Sequence, residues 1–203
     1  MTEASATAVP PQPTATEGKS APSARPRRPL REVLPRGARA VAVVVISAGL
    51  VAADFAHFGV TAWAFIGLVI CPVMVLLTAI DVEHRILPNV IVLPASLAVF
   101  AIVAVSQPHH LVTHIAAGVA LGGFFFASAM FFPGSIGLGD AKLGLLMGLA
   151  LGSQTFPAVE IALLCVLVVA LWIVATQGAA ARKKAIAFGP FLAFGTVLAF
   201  FLA

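Results

Sequence analysis

From residue 40 to residue 203 the chain is an almost unbroken succession of apolar runs separated by short breakers. A helix needs roughly 17–25 apolar residues to cross about 30 Å of hydrocarbon. Runs near 40–57, 60–80, 89–106, 111–132, 140–153, 156–176 and 186–203 approach or reach that length. Hydrophobic residues make up 61% of the chain and charged residues 10%, which leaves too little polar surface to cover a soluble globule. Inside hydrocarbon every backbone polar group must be satisfied within the protein, so only helices or a closed barrel remain. The strict apolar/polar alternation of barrel strands is absent. The sequence therefore predicts an all-α fold, a polytopic membrane helical bundle of about seven transmembrane helices formed by residues 40–203. The first and fifth runs are short, and the first carries Asp54 and His57 near its far end.

Residues 1–39 are of another kind. They are rich in Pro, Ala, Ser and Thr and carry Lys19, Arg25, Arg27, Arg28, Arg31, Arg36 and Arg39. With no apolar periodicity to support packing, this segment reads as a disordered basic cytoplasmic tail. A secretory signal peptide with Ala40–Ala53 as its apolar region is disfavoured, because the preceding polar stretch is far longer than a normal n-region. Cytoplasmic flanks are enriched in Lys and Arg, so the tail places the N-terminus inside. With seven spans the turns at 81–88, 133–139 and 177–185 also fall inside. All 12 basic residues, including Arg85, Lys142, Arg182, Lys183 and Lys184, then lie on that side. A net charge of +4 gathered on one face suits an anionic inner leaflet, and membrane lipids rather than nucleic acid are the expected partners.

Two segments place a carboxylate beside a long apolar run: Asp81-Val82-Glu83-His84-Arg85-Ile86-Leu87-Pro88-Asn89 and Gly137-Leu138-Gly139-Asp140-Ala141-Lys142-Leu143. Ionisable residues in such positions are functional candidates, since hydrocarbon does not solvate them. Asp81 ends a run that arrives at the inner side and Asp140 begins one that leaves it, so the two acids share a depth. Asp140 heads a stripe of Gly144, Gly148 and Gly152, the close-packing pattern of membrane helices. A bland alternative makes Asp140 an N-cap. The corresponding alternative for Asp81 is an i, i+4 ion pair with Arg85, although an anion at a helix C-terminus opposes the helix dipole. Pro88 stops the helix, and Asn89 is placed to cap the next one.

Ile80-Asp81 through Arg85-Ile86-Leu87-Pro88-Asn89 with Leu93-Pro94, then Gly137-Leu138-Gly139-Asp140-Ala141-Lys142-Leu143, and finally Phe188-Gly189-Pro190-Phe191-Leu192-Ala193-Phe194-Gly195 occur in that order. Together they resemble the type IV prepilin peptidases, intramembrane aspartyl proteases of the Gly-x-Gly-Asp kind, over roughly residues 60–203. The resemblance implies an endopeptidase that removes the short cytoplasmic leader of prepilin or pseudopilin substrates at the inner face of the cell membrane. Carried over, Asp81 and Asp140 match the two catalytic aspartates, which share a proton and activate water. Gly137 and Gly139 would leave room for an extended substrate. Arg85 and Asn89 would support the site, and Lys142 would contact lipid phosphate or snorkel.

Larger members of the family carry an N-terminal cysteine-rich region and also methylate the new pilin N-terminus. Here Cys71 and Cys165 stand singly in apolar runs with no Cys-x-x-Cys pair, so a peptidase without the methyltransferase is expected. No metal and no cofactor is implied. Presenilin-like relatives have Tyr-Asp where this chain has Ile80-Asp81, and a Pro-Ala-Leu motif where it has Phe188-Gly189-Pro190. His57, His109, His110 and His114 gather toward the outer side without a His-Glu-x-x-His pattern and read as surface or interfacial histidines. His84 reads as solvated, Glu160 carries no assigned chemistry, and Pro72 and Pro94 should kink their helices. The competing readings are a proton- or cation-coupled transporter or channel component, and a non-catalytic pilus-assembly subunit. The first lacks an inverted pair of broken helices with polar midplane residues.

Overall fold

The structure is a computed structural model and describes residues 30–131, 137–177 and 187–203. The tail through residue 29, and Arg182, Lys183 and Lys184 of the expected inner turn, lie outside the described residues. The elements are α1 (Leu30–Val33), α2 (Ala38–Phe58), α3 (Ala62–His84), α4 (Asn89–Ser106), α5 (Leu111–Phe131), α6 (Leu138–Leu151), α7 (Thr155–Gln177) and α8 (Gly189–Phe201). Short 3-10 turns at Pro108–His110 and Gly152–Gln154 precede α5 and α7. The described residues contain no strand, and the all-α bundle expected from the apolar runs is the fold observed.

Local chemistry explains most of the boundaries. Thr61 starts α3 by accepting a hydrogen bond from the Ala64 amide at 3.4 Å, the usual N-cap arrangement. Pro88 precedes α4 with an extended backbone. Gly152, with φ +55°, breaks the chain between α6 and α7, a conformation that glycine adopts without a Cβ penalty. Pro72 and Pro94 lie inside α3 and α4. The clearest departure is the end of α3, which continues to His84 where the sequence suggested residue 80. Its stop is Arg85, in the left-handed conformation (φ 52°), whose amide donates to the Asp81 carbonyl at 2.9 Å. Pro88 restricts only its immediate predecessor, so the helix has room to run on. Asp81 consequently stands within the last turn of a helix and not in a turn.

Among the described residues, five segments are long and apolar enough to cross a membrane: Ala38–Phe58, Ala62–His84, Asn89–Ser106, Pro108–Phe131 and the 40-residue Leu138–Gln177, which joins α6 and α7. Gly189–Phe201 is a shorter apolar helix. At about 1.5 Å per residue, α6 and α8 each cover about 20 Å, some 10 Å less than the hydrocarbon thickness. A count of seven full crossings is therefore not what helix length delivers, although the apolar helices lie where the sequence placed them.

The core gathers around α6. Leu143, Leu146, Met147, Ala150 and Leu151 are buried with Ile70, Met74 and Leu77 of α3, Val92, Val99 and Val103 of α4, and Leu192 and Phe200 of α8. One flank of α6 is its glycine stripe, and all of it faces α5. A Cβ at Gly144 would come within 2.8 Å of the Phe125 ring, one at Gly148 would fall on the Gly118 backbone, and one at Gly152 would meet the His114 ring. Small residues let membrane helices approach backbone to backbone. We expect Gly148→Ala to lower stability by about 1–3 kcal/mol through overpacking. Gly123→Ala on α5, where a Cβ meets nothing within 4 Å, should be neutral or slightly stabilising. Thermal unfolding of the detergent-solubilised variants checks both, and equal melting of the two variants would contradict the interface described.

Candidate active site

Asp81, on the last turn of α3, is 8% exposed. Its carboxylate points across to the start of α8, where the Gly189 backbone hydrogen-bonds to it. The first amides of a helix have no partner within the helix, and the positive end of the helix dipole favours an anion there. The Asp81 side chain is thus received by the N-terminus of a different helix. The fit depends on glycine, since a Cβ at Gly189 would stand 2.5 Å from Oδ2 of Asp81. Pro190, in the first turn of α8, is the sequence signal for a helix start at this point. The Phe188-Gly189-Pro190 motif was visible in the sequence, whereas its contact with Asp81 was not.

Asp140 occupies the first turn of α6, whose N-cap is Gly137. It is not itself the N-cap, because the helix begins at Leu138, earlier than the apolar run suggested. Its Oδ2 accepts a hydrogen bond from the Gly137 amide at 3.2 Å, the reciprocal half of a capping box. The residue is half-buried. Asp81 and Asp140, 59 positions apart, come close enough for the Asp81 charge to act on Asp140. Two carboxylates from separate helices therefore converge, each beside backbone amides of a helix N-terminus.

The space over Gly139 is occupied by Leu87. A Cβ at Gly139 would stand 3.0 Å from Leu87, so this glycine admits the side chain of the elbow that follows Asp81. Gly137 is different: a Cβ there would make ordinary contact with Asp140 at 3.6 Å. Asn89 is the first residue of α4, whose N-cap is Pro88. Its Oδ1 accepts from Nζ of Lys142 at 2.6 Å. Lys142 thereby reaches across to α4 and does not simply snorkel, because the amide oxygen lies within its radius. Arg85 closes α3, as described above. On the same side, Arg39 of α2 pairs with Glu83 of α3 at 2.8 Å. The two motifs are thus joined twice, by Leu87 on Gly139 and by Lys142 on Asn89.

Two polar residues, Asp54 near the far end of its run and His114 among the histidines read as surface or interfacial, are buried. Asp54, expected near an outer turn, lies fully buried inside α2 with its carboxylate over Gly67 of α3, and neither oxygen has a hydrogen-bond partner. His114 is also buried, its Nδ1 2.8 Å from the Leu149 carbonyl. A single polar residue in an apolar run gives no indication of which face its helix buries, so no sequence signal marked either one. Cys71 is buried, Cys165 is half-buried, and both are free thiols.

The family model for the type IV leader peptidase family matches residues 68–203. No curated protein and no solved structure matches the chain. The matched stretch covers well over half of the sequence and includes Asp81, Asp140, the elbow between α3 and α4, and the whole of α8. On that match, the chain belongs to the type IV leader peptidase family.

Proposed function

We propose that the protein is an intramembrane aspartyl endopeptidase in which Asp81 and Asp140 remove the short cytoplasmic leader of a prepilin-like or pseudopilin-like substrate. Family membership supports a leader-peptidase type of protease. The observation that carries the finer reading is the convergence of two carboxylates, one of them buried, from helices far apart in sequence. Adjacent carboxyls disfavour a double negative charge and hold a proton between them. The ionised carboxylate takes a proton from water as the water attacks the scissile carbonyl. The protonated one donates to the carbonyl oxygen, and the leaving amine takes a proton as the tetrahedral intermediate collapses. The pair titrates as one unit, and the roles of its members are not divided.

The transporter reading finds no comparable support. Both acids stand at helix ends beside helix N-termini, whereas coupling-ion sites lie near the bilayer midplane.

Asp81→Asn and Asp140→Asn should each abolish leader removal while the protein still accumulates in the membrane. Co-expression with a candidate prepilin and a gel shift provides the measurement, and normal processing by either variant would remove that aspartate from the pair. Gly189→Ala should reduce cleavage by about 100-fold, the penalty of a displacement near 1 Å in a catalytic group, because the new methyl group meets Oδ2 of Asp81. Gly137→Ala, with its open contact, should retain most activity. Cleavage rates of the two variants in the same detergent decide whether α8 seats the aspartate. The orientation rests on the gathering of all 12 basic residues on one side of a seven-span arrangement. A reporter fused after Gln177 should then register the cytoplasm and one fused beyond Ala203 the outer side; the same side for both would refute that arrangement.

A further inference from the structure

At the end of the bundle away from Asp81, a cavity of about 420 Å3 opens among the α2–α3, α4–α5 and α6–α7 connections and the end of α8. Trp63, in its wall, and Asp81 share α3 and are separated by about 27 Å of helix at ~1.5 Å per residue. The cavity is therefore distinct from the acid pair, and its use does not depend on the proposed peptidase chemistry. Small-molecule pockets of about 300–1,000 Å3 combine an apolar or aromatic lining with a few placed polar groups. This cavity has that size and that mixture.

Phe58 and Trp63 supply the aromatic part of the wall. The indole of Trp63 stacks on Phe200 at 5.1 Å, nearly parallel to it, and its N–H donates to the Phe200 carbonyl at 3.4 Å. The ring is thus held in place with its one polar atom already engaged. Gln107, Thr113, Ser153 and Gln154 bring two amides and two hydroxyls to the same cavity. Among the described residues, none of these four side chains is engaged in a hydrogen bond within the protein. His114, 4% exposed, is the buried member of the polar wall, with Nδ1 held 2.8 Å from the Leu149 carbonyl. A carbonyl only accepts, so Nδ1 carries the hydrogen, and Nε2 of the neutral ring is left as an acceptor. Gly152 gives this ring its room, since a Cβ there would stand 2.9 Å from Nε2.

The lining decides what class of ligand fits. No Lys, Arg, Asp or Glu side chain belongs to it, so a phosphate or ammonium group would meet no counter-charge on leaving water, which is costly. A purely apolar ligand would displace water from the amides and hydroxyls and leave them without partners. An extended peptide is commonly held by adding to a strand edge, and the described residues contain no strand. The complement of this wall is a neutral molecule with C–H surface for the aromatic rings and hydroxyls that both donate and accept, as the side-chain amides do. A sugar ring has both. We propose that the cavity binds a neutral sugar ring, as the headgroup of a glycolipid or as a free glycoside, at the end of the bundle away from the acid pair.

The test uses the full chain in phosphatidylcholine nanodiscs, because detergents with glucoside or maltoside headgroups carry the proposed ligand chemistry themselves. The chain has two tryptophans, and Trp172 is exposed on α7, so Trp172→Phe leaves Trp63 as the only one. Its emission should change saturably when monoglucosyl or monogalactosyl diacylglycerol is added to the nanodisc, and should not change with plain diacylglycerol or phosphatidylglycerol. A response to methyl glucoside or methyl galactoside in solution would assign the free sugar as sufficient, and a response to the glycolipids alone would assign the headgroup. In the same background, Gln107→Ala and Gln154→Ala should each weaken binding about tenfold, since a ligand hydroxyl loses its partner. His109→Ala, which removes a polar ring that is not part of the wall, should leave binding unaltered. Absence of a saturable change with all four sugar probes, an equal change with plain diacylglycerol or phosphatidylglycerol, full affinity in both glutamine variants, or an equal loss in His109→Ala would overturn the proposal.

Discussion

Backbone-to-backbone contact between α5 and α6 sets the position of the helix that carries Asp140. Helix α6 is buried along most of its length, and the stripe Gly144, Gly148 and Gly152 lets α5 lie directly against one of its flanks. Lipid tails supply no hydrophobic force between helices, so this approach rests on van der Waals packing, which weakens steeply with distance. With that flank fixed, other faces of α6 meet α4 and α8. Asp140 rides on the first turn of this central helix, and its location follows from the packing of the turns below it.

Asp81 is placed by a different force. An unpaired carboxylate withdrawn from water is disfavoured by several kcal/mol, and a helix N-terminus offsets about 0.3–1 kcal/mol of that, up to about 2 in partly buried geometry. The Gly189 amide for Asp81 and the Gly137 amide for Asp140 therefore moderate the burden without cancelling it. Two helix N-termini favour negative charge at the site, while the closeness of the carboxyls disfavours a second one. The balance suits a pair that holds one negative charge and one proton, the state that the proposed acid–base chemistry requires.

Much of this was legible from the sequence, for identifiable reasons. Apolar runs reveal membrane helices because hydrocarbon imposes a minimum length on them, and the Gly144, Gly148 and Gly152 spacing reveals a contact face because the helix period brings fourth neighbours into line. The two aspartates stood out because acids are rare beside such runs. Contacts between segments distant in the chain were not legible. That the methyl-free side of Gly189 receives Asp81, that Leu87 fills the space over Gly139, and that Asn89 binds Lys142 rather than capping α4 all depend on how helices are rotated in the bundle. The nearly uniform apolar faces of α6 and α7 carry little record of that rotation. The inward turn of Asp54 and His114 was hidden for the same reason.

The ties around the elbow show why the motifs occur as a set. Arg85 ends α3 immediately after the turn that holds Asp81, and Leu87 then reaches Gly139, next to Asp140. Asn89 opens α4 and binds Lys142, two residues beyond Asp140. Each contact joins a residue shortly after one aspartate to a residue beside the other, so the elbow acts as a spacer between the acids. An exposed hydrogen bond to a charged group adds little stability by itself, and Lys142–Asn89 is more usefully regarded as a fix on registry. If α6 slid by one residue, about 1.5 Å, the lysine would lose its amide partner, Leu87 would lose the gap over Gly139 and Gly148 would leave Gly118 together. The acid pair is held by the coincidence of these contacts, no one of which is strong enough to hold it alone.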